Sequence, residues 1–219
     1  MTKTSKIKPA YISIMAIVAW LALIVQLYLS VSYTKTNGLT PLVATWNFFS
    51  YFTVLTNFLV AISLSIILLK PASSTAGFFS KPAALTAIAL YIFIVGLVYN
   101  LILRSVWAPT GLQKWVDEAL HVIVPVLFLI FWFLFVPKGT LKWAYAFHWL
   151  IFPAAYLAYA LFRGEFTNFF AYPFINTLEL GYSRVLLNAG GLMIVFIAAG
   201  LLFIAADKLM SRSIAKVFS

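Results

Sequence analysis

The sequence predicts an all-α fold: an integral membrane bundle of six transmembrane helices. Three observations lead there. The 219-residue chain is 64% hydrophobic and only 9% charged, whereas a soluble domain carries about 25% charged residues to cover its surface. Six stretches, 9–34, 36–69, 82–103, 119–137, 143–162 and 185–206, contain no Lys, Arg, Asp or Glu, and a spanning helix needs about 20 apolar residues. No stretch alternates polar and apolar residues over about ten positions, as the strands of a membrane barrel do.

The helices follow in order. The first covers 10–32. Lys3, Lys6 and Lys8 precede it as they would a secretory signal, but its apolar stretch exceeds the about 7–15 residues of a signal core. The second covers 46–69, because Gly38 and Pro41 assign the front of the 36–69 run to a loop. The others are expected at 82–104, 117–137, 142–162 and 184–207. The connections are short, so the chain is expected to form a single domain over 1–219.

Six spans put both termini on one side. That side holds Lys3, Lys6, Lys8, Lys70, Lys81, Lys138, Lys142, Lys208, Arg212 and Lys216, and the other holds Lys35, Arg104, Lys114, Arg163 and Arg184. The acids divide oppositely, with Asp117, Glu118, Glu165 and Glu179 against Asp207 alone. The positive-inside rule therefore places both termini in the cytoplasm. The net charge of +10 raises nucleic acid as a partner, but the basic residues are scattered between apolar runs and form no patch. With no cysteine, two histidines and five carboxylates, disulfides and thiolate chemistry are excluded and a structural zinc site is not expected. No residue pattern calls for a cofactor or a protein partner.

Polar groups inside a membrane need partners, and ionisable ones usually mark function. His121 lies in "WVDEALHVIVPVLFLIF" with Asp117 four positions before it and Glu118 three. On a helix either carboxylate shares its face and can fix the imidazole tautomer, as the third member of a triad does; the other reading is an interfacial cluster meeting water or headgroups. His148, in "WAYAFHWLIF", enters from the opposite side between Trp143 and Trp149 and suits an interfacial belt. In "WNFFSYFTVLTNFLV", Ser50, Thr53 and Asn57 share a face with Trp46, and Thr56 lies beside them. Such a stripe either glues helices together or lines a site.

Depth favours the site. At ~1.5 Å per residue, Thr53 lies roughly 10 Å and His121 about 6–9 Å below the same outer edge. A hydroxyl and an imidazole at one level can form an activated nucleophile. Asn100 and Arg104 close the third helix near that level, and Asn188 opens the sixth. Asn57, Asn100 or Arg104 could donate to an oxyanion, and the aromatic loop 167–182 could cap the site.

Three stretches resemble the androgen-induced protein family, six-helix membrane proteins whose animal members hydrolyse fatty acid esters of hydroxy fatty acids. Tyr51-Phe52-Thr53 is similar to the motif holding that family's catalytic threonine. The Trp115-to-His121 spacing, followed by Pro125, is similar to the motif around its catalytic histidine. Tyr172-Pro173-Phe174 matches a "YPF" of the last outer loop. Two departures accompany the match: Thr56-Asn57 stands where animal proteins carry an acid or amide, and anchoring on Trp46 would align Ser50 with the threonine. The resemblance implies an intramembrane lipid esterase of the serine-hydrolase kind, without a cofactor. Thr53 (or Ser50) would be its nucleophile and His121 its base, with Tyr172 in the matched loop; the residue reading above adds Asp117, Asn57, Asn100, Arg104 and Asn188 in support. It implies a fatty acyl ester or other membrane lipid as substrate, and the inner membrane of a bacterium as the location. A non-enzymatic lipid-binding or transport protein is the alternative.

Overall fold

A computed structural model describes residues 3–36 and 38–217, with side chains over 8–33 and 38–211. Among the described residues all regular structure is helical, and six helices are long and apolar enough to cross a membrane: 8–33, 52–69, 82–105, 111–135, 145–167 and 177–211. The chain is a multi-pass integral membrane protein of the all-α class. The side chains of Lys3, Lys6, Lys35, Arg212 and Lys216, used in the charge count above, lie outside the described residues.

The chain divides into two compact units, 1–136 and 137–219. The first contains α1 (Lys3–Thr36), α2 (Pro41–Phe48), α3 (Phe52–Leu69), α4 (Ser74–Phe79) and α5 (Pro82–Leu101). After a 3₁₀ turn (Leu103–Ser105) come α6 (Gly111–Glu118), a π-helical turn (Ala119–Ile123) and α7 (Val124–Phe135). Four helices close a ring: α1 packs on α3 and α7, and α5 packs on the same two. Met15, Leu23, Val60, Leu64, Leu90, Ile92, Phe128, Phe131 and Trp132 fill its interior. Buried and half-buried polar groups pair across it. Trp132 Nε1 donates to Thr86 Oγ1 at 2.8 Å, Trp20 Nε1 to Ser65 Oγ at 3.0 Å, and Tyr11 Oη to the Leu127 carbonyl at 2.8 Å. A polar group in hydrocarbon without a partner is costly, so these bonds restrict how the helices can slide.

Two elements differ from the sequence expectation in ways that shape the site. The expected helix 46–69 is broken: α2 ends at Phe48, and α3 starts at Phe52. Ser50 lies at the break. Its hydroxyl donates to the Trp46 carbonyl at 2.8 Å, the acceptor its own N–H would use in a continuous helix, while that N–H turns to Asn47 O at 3.0 Å. The helix expected at 117–137 starts earlier, at Gly111, and changes to a π-turn before Pro125. There the Val124 N–H reaches Ala119 O, five residues back.

The second unit contains α8 (Tyr145–His148), α9 (Ile151–Thr167), a 3₁₀ turn (Pro173–Ile175) and α10 (Thr177–Val217). α10 begins before the expected 184 and continues past 207, with a break at Gly181, whose φ is +70°. The sharp return after α9 depends on Asn168 in the left-handed region, φ 54°, and on Gly164. A Cβ on Gly164 would collide with the Phe170 ring. The connection before α8 is tied to α10: the Leu141 N–H donates to Asp207 Oδ2 at 3.2 Å, and Asp207 is buried.

Candidate active site

The polar groups of the first unit converge on His121. The π-turn presents its ring toward the first turn of α3. There Nε2 lies 3.3 Å from Thr53 Oγ1. On the other side Nδ1 lies 2.9 Å from the Asp117 carbonyl and 3.3 Å from Asp117 Oδ1. Both neighbours of Nδ1 are acceptors, so in the neutral imidazole the ring hydrogen sits on Nδ1. Nε2 is then left with its lone pair toward the threonine hydroxyl. Thr53 and Asp117 are buried, and the His121 side chain is 13% exposed. The expected meeting of Thr53 and His121 is present as a contact, although neither helix starts where the depth estimate placed it.

Tyr99, which no sequence pattern singled out, completes the cluster. Its hydroxyl donates to Asp117 Oδ2 at 2.5 Å. Its ring stacks on the imidazole with centroids 4.1 Å apart and planes 15° from parallel. The Arg104 guanidinium lies 5.0 Å from the Tyr99 centroid and pairs with Glu118 at 2.7 Å. Asp117 thus accepts from Tyr99 with one oxygen and faces His121 with the other, while Glu118 is held away by Arg104. Of the two carboxylates the sequence offered, geometry selects Asp117. Gly96 lets α5 come close: a Cβ there would lie 3.2 Å from the His121 carbonyl oxygen.

The remaining expected residues divide clearly. Ser50 is buried beside the break with its hydroxyl hydrogen on Trp46 O. Asn57 is not an oxyanion donor, because both of its amide hydrogens are used, on Thr53 O at 2.8 Å and on Leu120 O at 3.2 Å. Two buried oxygens here, Thr56 Oγ1 and the residue's own Asn57 Oδ1, have no hydrogen-bond partner among the described residues. Asn100 is exposed, and its amide donates to Gly96 O at 2.7 Å. Tyr172 and Asn188 belong to the second unit, where Tyr172 stacks on Phe174 and Asn188 donates to the Phe174 carbonyl at 2.9 Å. His148 is exposed there, its Nδ1 2.8 Å from Ala144 O. Among the described residues no group of three or more His, Asp or Glu side chains is placed to hold a metal ion.

The arrangement can take a proton from a hydroxyl and stabilise the resulting imidazolium. Thr53 is the second residue of α3, so charge developing at its oxygen lies near the positive end of an 18-residue helix. No family model, curated protein or solved structure matches the chain.

Proposed function

We propose that the protein is an intramembrane lipid ester hydrolase with Thr53 as nucleophile and His121 as general base. The observation that carries this is the chain of contacts from Thr53 Oγ1 to His121 Nε2 and from His121 Nδ1 to Asp117. It has the roles of a nucleophile–base–orienter set. Thr53 Oγ attacks the ester carbonyl while its proton passes to Nε2, and the carbonyl electrons move onto oxygen. Collapse of that intermediate expels the alcohol, which takes the proton from the imidazolium. Water, deprotonated by the same nitrogen, then releases the fatty acid from the threonine ester. The charge distribution supports cytoplasmic termini and a site toward the outer leaflet. The resemblance of the threonine and histidine motifs to the androgen-induced family supports a fatty acyl ester as substrate and a bacterial inner membrane as location.

A fluorophosphonate probe tests the mechanism. Incubation with purified protein, followed by mass spectrometry, is expected to give an adduct on Thr53 that is absent in His121→Ala. An adduct on Ser50 would reassign the nucleophile. Absence of any adduct on folded protein would overturn the hydrolase in favour of lipid binding or transport.

A further inference from the structure

The turn that carries His121 contains a carbonyl its own backbone does not serve. In a regular helix the Leu120 oxygen would accept from the N–H four residues on. That residue is Val124, whose N–H goes instead to Ala119 O. Five residues on is Pro125, which has no N–H. Leu120 and Pro125 are both buried, so water is no ready substitute. The donor is Asn57. Its amide nitrogen lies 3.2 Å from Leu120 O and 2.8 Å from Thr53 O, and its side chain is fully buried. One amide group therefore joins the backbone of the hydroxyl-bearing residue to the carbonyl beside the imidazole.

We propose that Asn57 is a positioning residue: by satisfying Leu120 O it holds the π-turn in register, and the register keeps His121 Nε2 on Thr53 Oγ1. Without that amide, the ready way to satisfy Leu120 O is to return the Val124 N–H to the α register. One residue of register is about 100° of helix rotation, which swings the imidazole off Tyr99 and away from Thr53. π-turns cluster at functional sites, and here the surrounding residues supply the reason. The consequence for rate rests on the hydrolase reading; the consequence for the turn does not.

The test uses the full chain in detergent with ¹³C-labelled histidine, read by NMR and by fluorophosphonate labelling. The stacked Tyr99 ring moves the His121 ring-proton signals upfield, and exposed His148 is the internal reference. Asn57→Ala is expected to remove most of that displacement. Labelling of Thr53 should slow about 100-fold, the scale of a 1 Å misplacement. Adding Pro125→Ala supplies an N–H five residues after Leu120 and should restore both readouts. Unchanged His121 signals in Asn57→Ala would overturn the proposal. So would a loss that Pro125→Ala does not repair, which would mean that Asn57 only fills space. If the single variant does not fold, the double variant decides: folded with displaced signals supports the register, and unfolded overturns it. A wild-type protein that takes no adduct defeats the hydrolase reading, while the NMR comparison still decides the role of Asn57.

Discussion

Thr53 Oγ1 and His121 Nε2 lie 3.3 Å apart although 68 residues separate them. Two departures from regular helix make this possible. The break after Phe48 puts Thr53 on the first turn of α3, and the π-turn rotates His121 toward it. Both departures cost backbone hydrogen bonds that side chains replace, Ser50 at one and Asn57 at the other.

This division of labour separates the two candidate hydroxyls. Thr53→Ala is expected to abolish ester turnover and probe labelling. Loss of a positioned base costs about 10²–10⁴-fold, so His121→Ala is expected to fall in that range. Ser50→Ala removes a hydroxyl bound to Trp46 O, and should lower the unfolding temperature while Thr53 still labels. Thermal unfolding and site-resolved mass spectrometry on the same samples check all three; a Ser50→Ala protein that no longer labels while Thr53→Ala still does would reverse the assignment.

Asp117 is expected to matter less than the third member of a triad usually does. Where a carboxylate alone sets the tautomer, its amide costs about 10⁴-fold. Here the Asp117 backbone carbonyl, 2.9 Å from Nδ1, holds the same tautomer and survives mutation. Asp117→Asn removes the negative charge facing the imidazolium and replaces one of the two acceptor oxygens with an NH2, leaving the backbone carbonyl to hold the ring, so a loss of about 10–100-fold is expected. Tyr99→Phe keeps the ring stack and removes the donor to Asp117 Oδ2. A hydrogen bond to a charged group contributes about 1.5–3 kcal/mol, so a loss of about 10–150-fold is expected. Labelling rates of the two single variants and the double variant measure the coupling, and strict additivity would contradict one shared relay.

The sequence made some of this legible and hid the rest for identifiable reasons. Uncharged runs reveal membrane spans directly, because a charge in hydrocarbon is costly; α5 begins at Pro82, as expected. The Asp117–His121 pair is a four-residue spacing and is visible on any helical reading. Tyr99 was invisible because an aromatic residue in an apolar run says nothing about its hydroxyl, and its partner is 18 residues away. The break at Ser50 and the π-turn at His121 were invisible for a shared cause: in each, a polar side chain takes over a backbone bond. A sequence displays the side chain but not which carbonyl it will serve. Asn57 shows the consequence. Its amide looks like a free donor on a polar stripe, and both hydrogens prove to be engaged.

Gly96 offers a test of how finely the imidazole is placed. A Cβ at this position would lie 3.2 Å from His121 O and 3.5 Å from Pro125 Cβ, so Gly96→Ala should push the π-turn by a few tenths of an ångström. α5 is helical there, and alanine favours the helix by roughly 0.5–1 kcal/mol. Stability is therefore expected to change little while labelling slows about tenfold. Thermal unfolding beside labelling kinetics checks this. Parallel losses in both would mean that the contact serves packing alone.

Lys138 lies in the short connection before α8, outside the spans. Burial pulls its ammonium down from the ordinary 10.5 to about 8, and the nearby Asp207 carboxylate opposes this less strongly. The folded protein thus holds this proton less tightly than the unfolded chain. Between about pH 8 and 10.5 the unfolded chain binds the extra proton, so stability should rise with pH across that window. Competitive acylation followed by mass spectrometry should show Lys138 half-reactive near pH 8, well below the exposed lysines. Asp207→Asn keeps an oxygen to accept from Leu141 N–H but removes the charge that raises the lysine, so half-reactivity should move lower still. A shift upward in that variant would show that the carboxylate does not act on Lys138. Lys138→Met should abolish the rise in stability over the same window, and its persistence would assign the effect to another group.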